Sequence, residues 1–331
     1  MKVTLKTIAE ESGRSISTVS RVLNGTGNIS PEVQKKIVKI AEKFKYPFIK
    51  SKIPFYSNAN LNVALITEFK EGEFYSSYFF GLSNAARQMD IRLTLIDVTN
   101  EDEFIINTIN DLDPQRYDGI CLFMPEMTND FYIKLSRQVN NNIPIISNAM
   151  IQNPLIPTIT FDGYSGGYLA AEHLLNKGYK SFGIVKGPFS KTESRYRYNG
   201  FKDYLEYNEQ NILWETGGNF EFNSGEEAFN EFQKLTKKPK AIFISNDMMT
   251  RGFIEAAKHN GVRIPEELAI VSYDDLPVCI ESYPKITSIK TDFYELGKTT
   301  LNTIKDLILK TDVSRSTLSL VSISLSDRES A

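Results

Sequence analysis

Ser17, Ser20 and Arg21 fall on one side of a short segment whose Val19, Val22 and Leu23 fall on the other when residues are set out at about 100° each. Ile16 lies on the border between the two sides. The polar side carries the chemistry of nucleic-acid recognition: hydroxyls bond phosphates or base edges, a guanidinium forks onto guanine, and a border apolar group meets a thymine methyl. Catalytic chemistry has little to stand on. His173 and His259 are the only histidines, and His173 sits in the run Ala171-Glu172-His173-Leu174-Leu175, where a structural role fits better. HExxH, GxSxG, GxxxxGK[ST] and a GxGxxG after a strand are all missing, and the adjacent Asp274 and Asp275 would point different ways at a strand end. Cys121 and Cys279 lack a CxxC partner and read as small buried side chains, so neither a disulfide scaffold nor a metal or cofactor site is expected. The chain is not expected to be an enzyme.

The residues that would meet nucleic acid need a rigid frame, and residues 4–45 supply one. Thr4 suits the cap of a first helix with Leu5, Ile8 and Ala9 on one face, and Gly13 is placed to end it. Ser15 suits the cap of a second, which closes at Asn24-Gly25. Ser30-Pro31 opens a third, with Val33, Ile37, Ile40, Ala41 and Phe44 as its apolar stripe. Two helices joined by Gly13-Arg14-Ser15 and buttressed by a third make a helix-turn-helix.

Charge agrees with that reading. Residues 1–60 carry 11 Lys/Arg against 4 Asp/Glu, a net of +7, while the remainder carries 27 against 37, a net of −10. A small basic module joined to an acidic body suggests polyanion binding at one end and another task at the other. With 331 residues, 41% hydrophobic and 24% charged, the chain is long enough for about two globular domains. No apolar run is long enough to span a bilayer and no secretory signal opens the sequence, so a cytoplasmic location without membrane contact is expected.

The runs Leu5-Lys6-Thr7-Ile8-Ala9, Ser15-Ile16-Ser17-Thr18-Val19-Ser20-Arg21-Val22-Leu23-Asn24 and Ile29-Ser30-Pro31-Glu32 closely resemble the DNA-binding headpiece of the lactose/galactose-repressor (LacI/GalR) family. The resemblance implies base reading by Ile16, Ser17 and Arg21, with Thr4, Ser15, Thr18, Asn24 and Asn28 as phosphate or flanking contacts. Arg14 departs from the apolar residue usual in the turn. Residues 47–60, with Pro47, Pro54 and Asn-rich sequence, read as a linker after a 1–46 headpiece. The family usually forms a hinge helix here whose Leu wedges into the minor groove; this linker lacks that pattern, and Pro54 interrupts any helix through Phe48, Ile49, Ile53 and Phe55.

Residues 61–331 read as an effector-binding and dimerisation domain. Apolar runs at 63–66, 93–96, 119–123, 143–146, 182–185, 241–244 and 269–272 suggest buried parallel strands, alternating with helices over 78–89, 165–177, 195–207, 225–236 and 248–260. Two successive α/β halves follow, with a ligand cleft at the carboxyl ends of their strands. The resemblance extends through Phe161-Asp162-Gly163, Arg197-x-x-Gly200-Phe201, Ser245-Asn246-Asp247 and Ser272-Tyr273-Asp274-Asp275, and implies a two-subdomain fold similar to periplasmic sugar-binding proteins. Lys298 follows Leu296-Gly297 in a segment resembling the return through the first subdomain, while Tyr179 and Thr250 replace a common His and Ala.

By motif match Arg197, Asn246 and Asp274 are the polar effector contacts; Tyr75, Phe161 and Phe220 are the aromatic ones, and Asn148 and Phe293 are of second rank. Alternatives stay open: Asn246 or Asp247 can cap the helix starting near Met248, Asp274 can bind turn amides, and Phe161 and Phe293 also fit a core. The expected function is a sequence-specific regulator, a repressor by resemblance, that binds a pseudo-palindromic DNA operator as a homodimer and answers to a small molecule, a sugar in the first instance. The competing readings are an exported-type solute-binding protein and a corepressor-dependent regulator responding to a phosphosugar, a purine or a phosphocarrier protein.

Overall fold

The computed structural model describes residues 3–27, 29–44, 46, 48, 61–309 and 316–331. The N-terminal module holds α1 (Leu5–Ser12), α2 (Ile16–Leu23) and α3 (Pro31–Lys43). Local chemistry sets their ends. The Thr4 hydroxyl accepts from the Thr7 amide while the Thr4 amide donates to the Thr7 hydroxyl, a reciprocal cap. Gly13 takes φ 66°, the left-handed conformation that stops α1 and frees the chain to turn. Ser15 caps α2 by accepting from the Thr18 amide at 3.1 Å. Ile8, Ala9, Val19, Val22, Leu23, Ile37, Val38 and Ala41 close the core. The stripe of α3 is rotated from its expected position: Gln34 and Val38 are buried while Val33, Ile40 and Phe44 are only half-buried. Gln34 tolerates burial because its amide donates to the Ile29 carbonyl at 2.7 Å.

Among the described residues the body contains two sheets of six strands each. Along the chain come β1 (Asn62–Thr67), α4 (Glu73–Gln88), β2 (Arg92–Asp97), α5 (Asp102–Asp111), β3 (Gly119–Phe123), α6 (Asn129–Gln138), β4 (Ile145–Ser147) and β5 (Thr158–Phe161). The second half has α7 (Gly163–Asn176), β6 (Phe182–Lys186), α8 (Thr192–Tyr207), β7 (Ile212–Gly217), α9 (Phe222–Gln233), β8 (Ala241–Ile244), α10 (Asp247–His259), β9 (Ala269–Asp274), α11 (Val278–Glu281) and β10 (Thr287–Thr291). The chain ends in α12 (Phe293–Leu309), β11 (Leu318–Val321) and β12 (Ile323–Ser326).

Strand order is β11-β5-β4-β3-β1-β2 in the first sheet and β12-β10-β9-β8-β6-β7 in the second. Every pairing is parallel except β10 with β12. Order therefore reverses between β1 and β3 in one subdomain and between β6 and β8 in the other. Such switch points open a crevice at the carboxyl ends of the strands, where α/β sheets take ligands. The chain crosses between subdomains after β5, after β10 and between β11 and β12, and α12 returns to pack on the first subdomain's core through Leu296, Leu301 and Ile304.

The strand expected at 143–146 begins later, at Ile145, after Pro144. Strands β5, β7, β10, β11 and β12 and helices α5, α6, α11 and α12 go beyond the expected set. One helix contact bears directly on the site. A Cβ on Gly167 of α7 would lie 1.9 Å from the Arg197 carbonyl oxygen, and one on Gly200 of α8 1.9 Å from that of Tyr164. Only glycine lets these backbones approach so closely, and the approach seats Arg197.

Candidate functional site

On the headpiece, Ile16, Ser17 and Arg21 are exposed on one face of α2, Ile16 at 48%. No hydrogen bond or ion pair holds the Arg21 guanidinium among the described residues. Thr4, Ser15 and Asn24 are also exposed and Thr18 is half-buried, but several of these groups already have internal partners. The Ser15 hydroxyl lies 3.0 Å from that of Ser17 and 2.8 Å from that of Thr18, and the Asn24 amide donates to Ser20 at 3.2 Å. Asn28, Ile49, Ile53, Phe55 and nearly all of the 47–60 linker lie outside the described residues.

In the body, Tyr75, Phe161, Arg197, Phe220, Asn246 and Asp274 all line one cavity of about 250 Å³. It lies between the sheets. Tyr75 comes from the first turn of α4 and Phe161 from the end of β5; Arg197 is on α8, Phe220 on the β7–α9 turn, Asn246 at the cap of α10 and Asp274 at the end of β9. Phe293 stands behind the lining, its ring edge-on to Phe161 and Phe74 at 5.4 Å from each. Asn148 reaches the cavity wall but its amide is fully used: it donates to the Ile159 carbonyl and Thr300 hydroxyl and accepts from Tyr78 and Cys121. Its place is structural.

Arg197 and Asp274 meet each other. One guanidinium nitrogen donates to the Ser245 carbonyl at 2.5 Å and another to Asp274 Oδ1 at 3.3 Å, while the group stacks 3.6 Å from the Tyr273 ring centroid. Its Nε is buried without a partner among the described residues. Burial pushes the Asp274 carboxyl up to about 7, because removal from water outweighs the opposing pull of Arg197; the nearby Asp247 charge adds to the rise. Among the described residues the Asp274 carboxylate accepts from no turn amide, whereas that of Asp247 accepts from the Leu276 amide at 2.7 Å. Asn246 is a helix cap as well as a wall residue: it accepts from the Met249 amide and donates to the Phe220 carbonyl at 2.8 Å.

Phe220 and Asp274 adopt φ 73° and φ 110°, conformations that side-chain-bearing residues rarely hold. Strain of this kind persists where the surroundings over-determine it, and it gathers at ligand sites.

The ties that close the cleft carry no motif and were not foreseen. Lys191 from the loop after β6 reaches Glu126 from the loop after β3 at 2.7 Å, and Lys70 shares the same carboxylate oxygen at 3.2 Å. Although burial works against it, these two lysines hold Glu126 below the usual carboxylate range. The Met150 amide donates to Glu193 and the Val278 amide to Glu73, each at 2.9 Å and each across the subdomain boundary. His173, by contrast, sits on α7 near Asp327 and outside the cavity.

Residues 4–47 match the family described as bacterial regulatory proteins, lacI family, and residues 171–331 match a periplasmic binding protein-like domain. The chain is 28% identical over 311 residues to the HTH-type transcriptional repressor PurR of Haemophilus influenzae (strain PittEE), covering 93% of this chain and 92% of that protein. PurR of Actinobacillus pleuropneumoniae serotype 3 (strain JL03) is 28% identical over 310 residues, covering 92% and 91%. Among solved structures, a Lac repressor dimer bound to operator and the anti-inducer ONPF matches with TM-score 0.74 at 25% identity, covering 100% of this chain and 99% of that one. A complex of the transcriptional regulator CelR with cellobiose shares the fold, with TM-score 0.71 at 21% identity over 100% of both chains. These relatives are regulators rather than enzymes, and a solute-binding protein would not account for the headpiece. The chain thus carries a basic lacI-family helix-turn-helix headpiece joined to a periplasmic binding protein-like body of two subdomains with a ligand-sized cleft, and over its length it resembles the PurR and Lac transcriptional repressors.

Proposed function

We propose that this chain is a repressor that binds a pseudo-palindromic operator as a homodimer and that a neutral carbohydrate, held in the cleft, sets its affinity for DNA. The observation that carries the effector reading is the convergence of aromatic faces and hydrogen-bonding groups from both subdomains on one cavity. Planar polar groups fix hydroxyls, and ring faces stack on the C–H side of a sugar. The charges on the wall favour a neutral ligand over a phosphosugar: Lys70 and Lys191 are taken up by Glu126, and Arg197 by Asp274. An anionic group would have to displace a paired carboxylate and then face Glu71, Glu73, Glu193 and Glu221 on the same wall.

Because the ligand would touch both subdomains, it would bias how they close and so how two headpieces are spaced. Exposed apolar side chains support pairing of chains. Phe80 on α4, Ile280 on α11 and Tyr283 just beyond are 68%, 59% and 79% exposed, and the Glu73–Val278 bond ties the two elements together. In this arrangement Arg21 and its neighbours read successive major grooves about 34–36 Å apart.

A second reading, a purine base as effector, is favoured by the similarity to PurR. A thermal-shift screen of sugars, phosphosugars and nucleobases separates the two, since a ligand at about 100 times its Kd stabilises by about 2.7 kcal/mol. A shift with a neutral sugar that also changes operator affinity supports the carbohydrate reading; a shift with nucleobases alone overturns it.

A further inference from the structure

Asp247 is completely buried at the start of α10 yet lies outside the cavity lining, between Asn246 and Met248, which line it. Its carboxylate accepts from the Leu276 amide at 2.7 Å and from the Ser288 hydroxyl at 2.8 Å, and that hydroxyl in turn accepts from the Asp275 amide at 3.1 Å. The Asp274 carbonyl is held by the Thr291 hydroxyl, and the Asp275 side chain by Arg328 and Ser326. The turn after β9 is thus gripped at successive residues, two of which, Asp274 and Asp275, sit at φ 110° and φ 60°. One residue earlier on the same helix end, Asn246 grips the carbonyl of Phe220, the other strained wall residue.

We propose that Asp247 is a positioning residue of the effector site: with Asn246 it makes the N-terminus of α10 a clamp that holds the Asp274 and Phe220 turns in register across the cavity. The inference rests on the cleft being the effector site. The carboxylate accepts from the Leu276 amide on the turn and the Ser288 hydroxyl on β10, with the Ser272 hydroxyl and the Cys279 thiol also directed at it. Truncation leaves the Leu276 amide and the Ser288 hydroxyl buried without their partner and lets the strained turn relax. An asparagine keeps both links, its oxygen accepting from Leu276 and its amide donating to Ser288. The clamp therefore needs the shape and bonds of residue 247 more than its charge.

The test compares Asp247→Ala, Asp247→Asn and Ser288→Ala in the full chain by hydrogen–deuterium exchange, with operator binding as a control for folding. Asp247→Ala is expected to speed exchange in peptides covering 272–278 and 218–222, to leave the first sheet and the headpiece unchanged, and to weaken D-galactose, D-glucose or D-ribose, whichever stabilises the wild type, by about tenfold or more. Asp247→Asn is expected to restore protection and most of the sugar affinity. Should Asp247→Ala not fold, Ser288→Ala, which removes half of the grip, is expected to loosen the same 272–278 peptide. Unchanged exchange in 272–278, exchange raised across the whole second sheet, or an asparagine variant as loose as the alanine one overturns the proposal. If no sugar in the thermal-shift screen stabilises the wild type, the carbohydrate reading fails and the exchange comparison alone decides the role of Asp247.

Discussion

Replacing Asp274 by asparagine should separate effector binding from folding in a way that depends on pH. Burial raises this carboxyl from 3.8 to about 7, with Asp247 adding and Arg197 opposing. The folded chain then binds more protons than the unfolded one between about pH 4 and 7, so Asp274 makes stability fall as pH rises through that window. Asp274→Asn should remove this contribution while keeping an oxygen 3.3 Å from the Arg197 guanidinium, and its melting temperature should match or exceed that of the wild type near pH 8. Effector binding should move the other way. Hydrogen bonds to a charged acceptor contribute about 1.5–3 kcal/mol and those to a neutral one about 0.5–1.5, so the amide should lose about 1–2 kcal/mol, or roughly 5–30-fold in affinity, at pH 8. Near pH 6, where the wild-type carboxyl is largely protonated, the gap should narrow. Calorimetric titration of the carbohydrate found by thermal shift, at both pH values and on both proteins, measures this directly. Equal affinities at pH 8, or a wild-type affinity that is flat between pH 6 and 8, would refute the reasoning.

Three further outcomes are expected. Arg21→Ala should weaken the cognate operator by about 1–3 kcal/mol in an anisotropy titration and leave scrambled DNA nearly unaffected, because a forked base contact is lost; equal weakening on both would reduce Arg21 to a phosphate contact. Gly200→Ala places a methyl 1.9 Å from the Tyr164 carbonyl oxygen, so α7 and α8 must part, lowering stability by about 1–3 kcal/mol or more and weakening effector binding through the displaced Arg197. Denaturant melts with unchanged midpoints would contradict that packing. Phe80→Glu combined with Ile280→Glu should turn dimers into monomers in sedimentation runs at micromolar concentration, while a persistent dimer would place the interface elsewhere.

What was legible in the sequence was what is local. Thr4, Gly13, Ser15 and Pro31 mark helix ends because caps act within a few residues, and the apolar runs of β1, β3, β6, β8 and β9 mark strands buried on both faces. Strand β10 escaped notice because Thr287, Ser288 and Thr291 are buried polar residues, kept inside by the bonds they make to the C-terminal segment and the Asp274 turn. Strand β7 alternates half-buried and exposed residues as an edge strand does, so no apolar run announces it. Motif matching brought six effector candidates to one cavity wall, yet it did not reveal that Asn148 is saturated or that Arg197 already holds Asp274. The Lys191–Glu126 tie joins loops 65 residues apart from different sheets, a relation that no spacing rule encodes.

The claim that the cleft and the headpiece are two sites of one switch stands or falls on operator titration in the presence and absence of the identified carbohydrate. Wild-type chain should bind operator DNA with an affinity that falls steeply with salt, and the carbohydrate should change that affinity by roughly 5–150-fold. Asp274→Asn should bind the operator as tightly as the wild type and need a correspondingly higher carbohydrate concentration at pH 8 for the same change. A carbohydrate that occupies the wild-type cleft and leaves operator affinity untouched would contradict the claim.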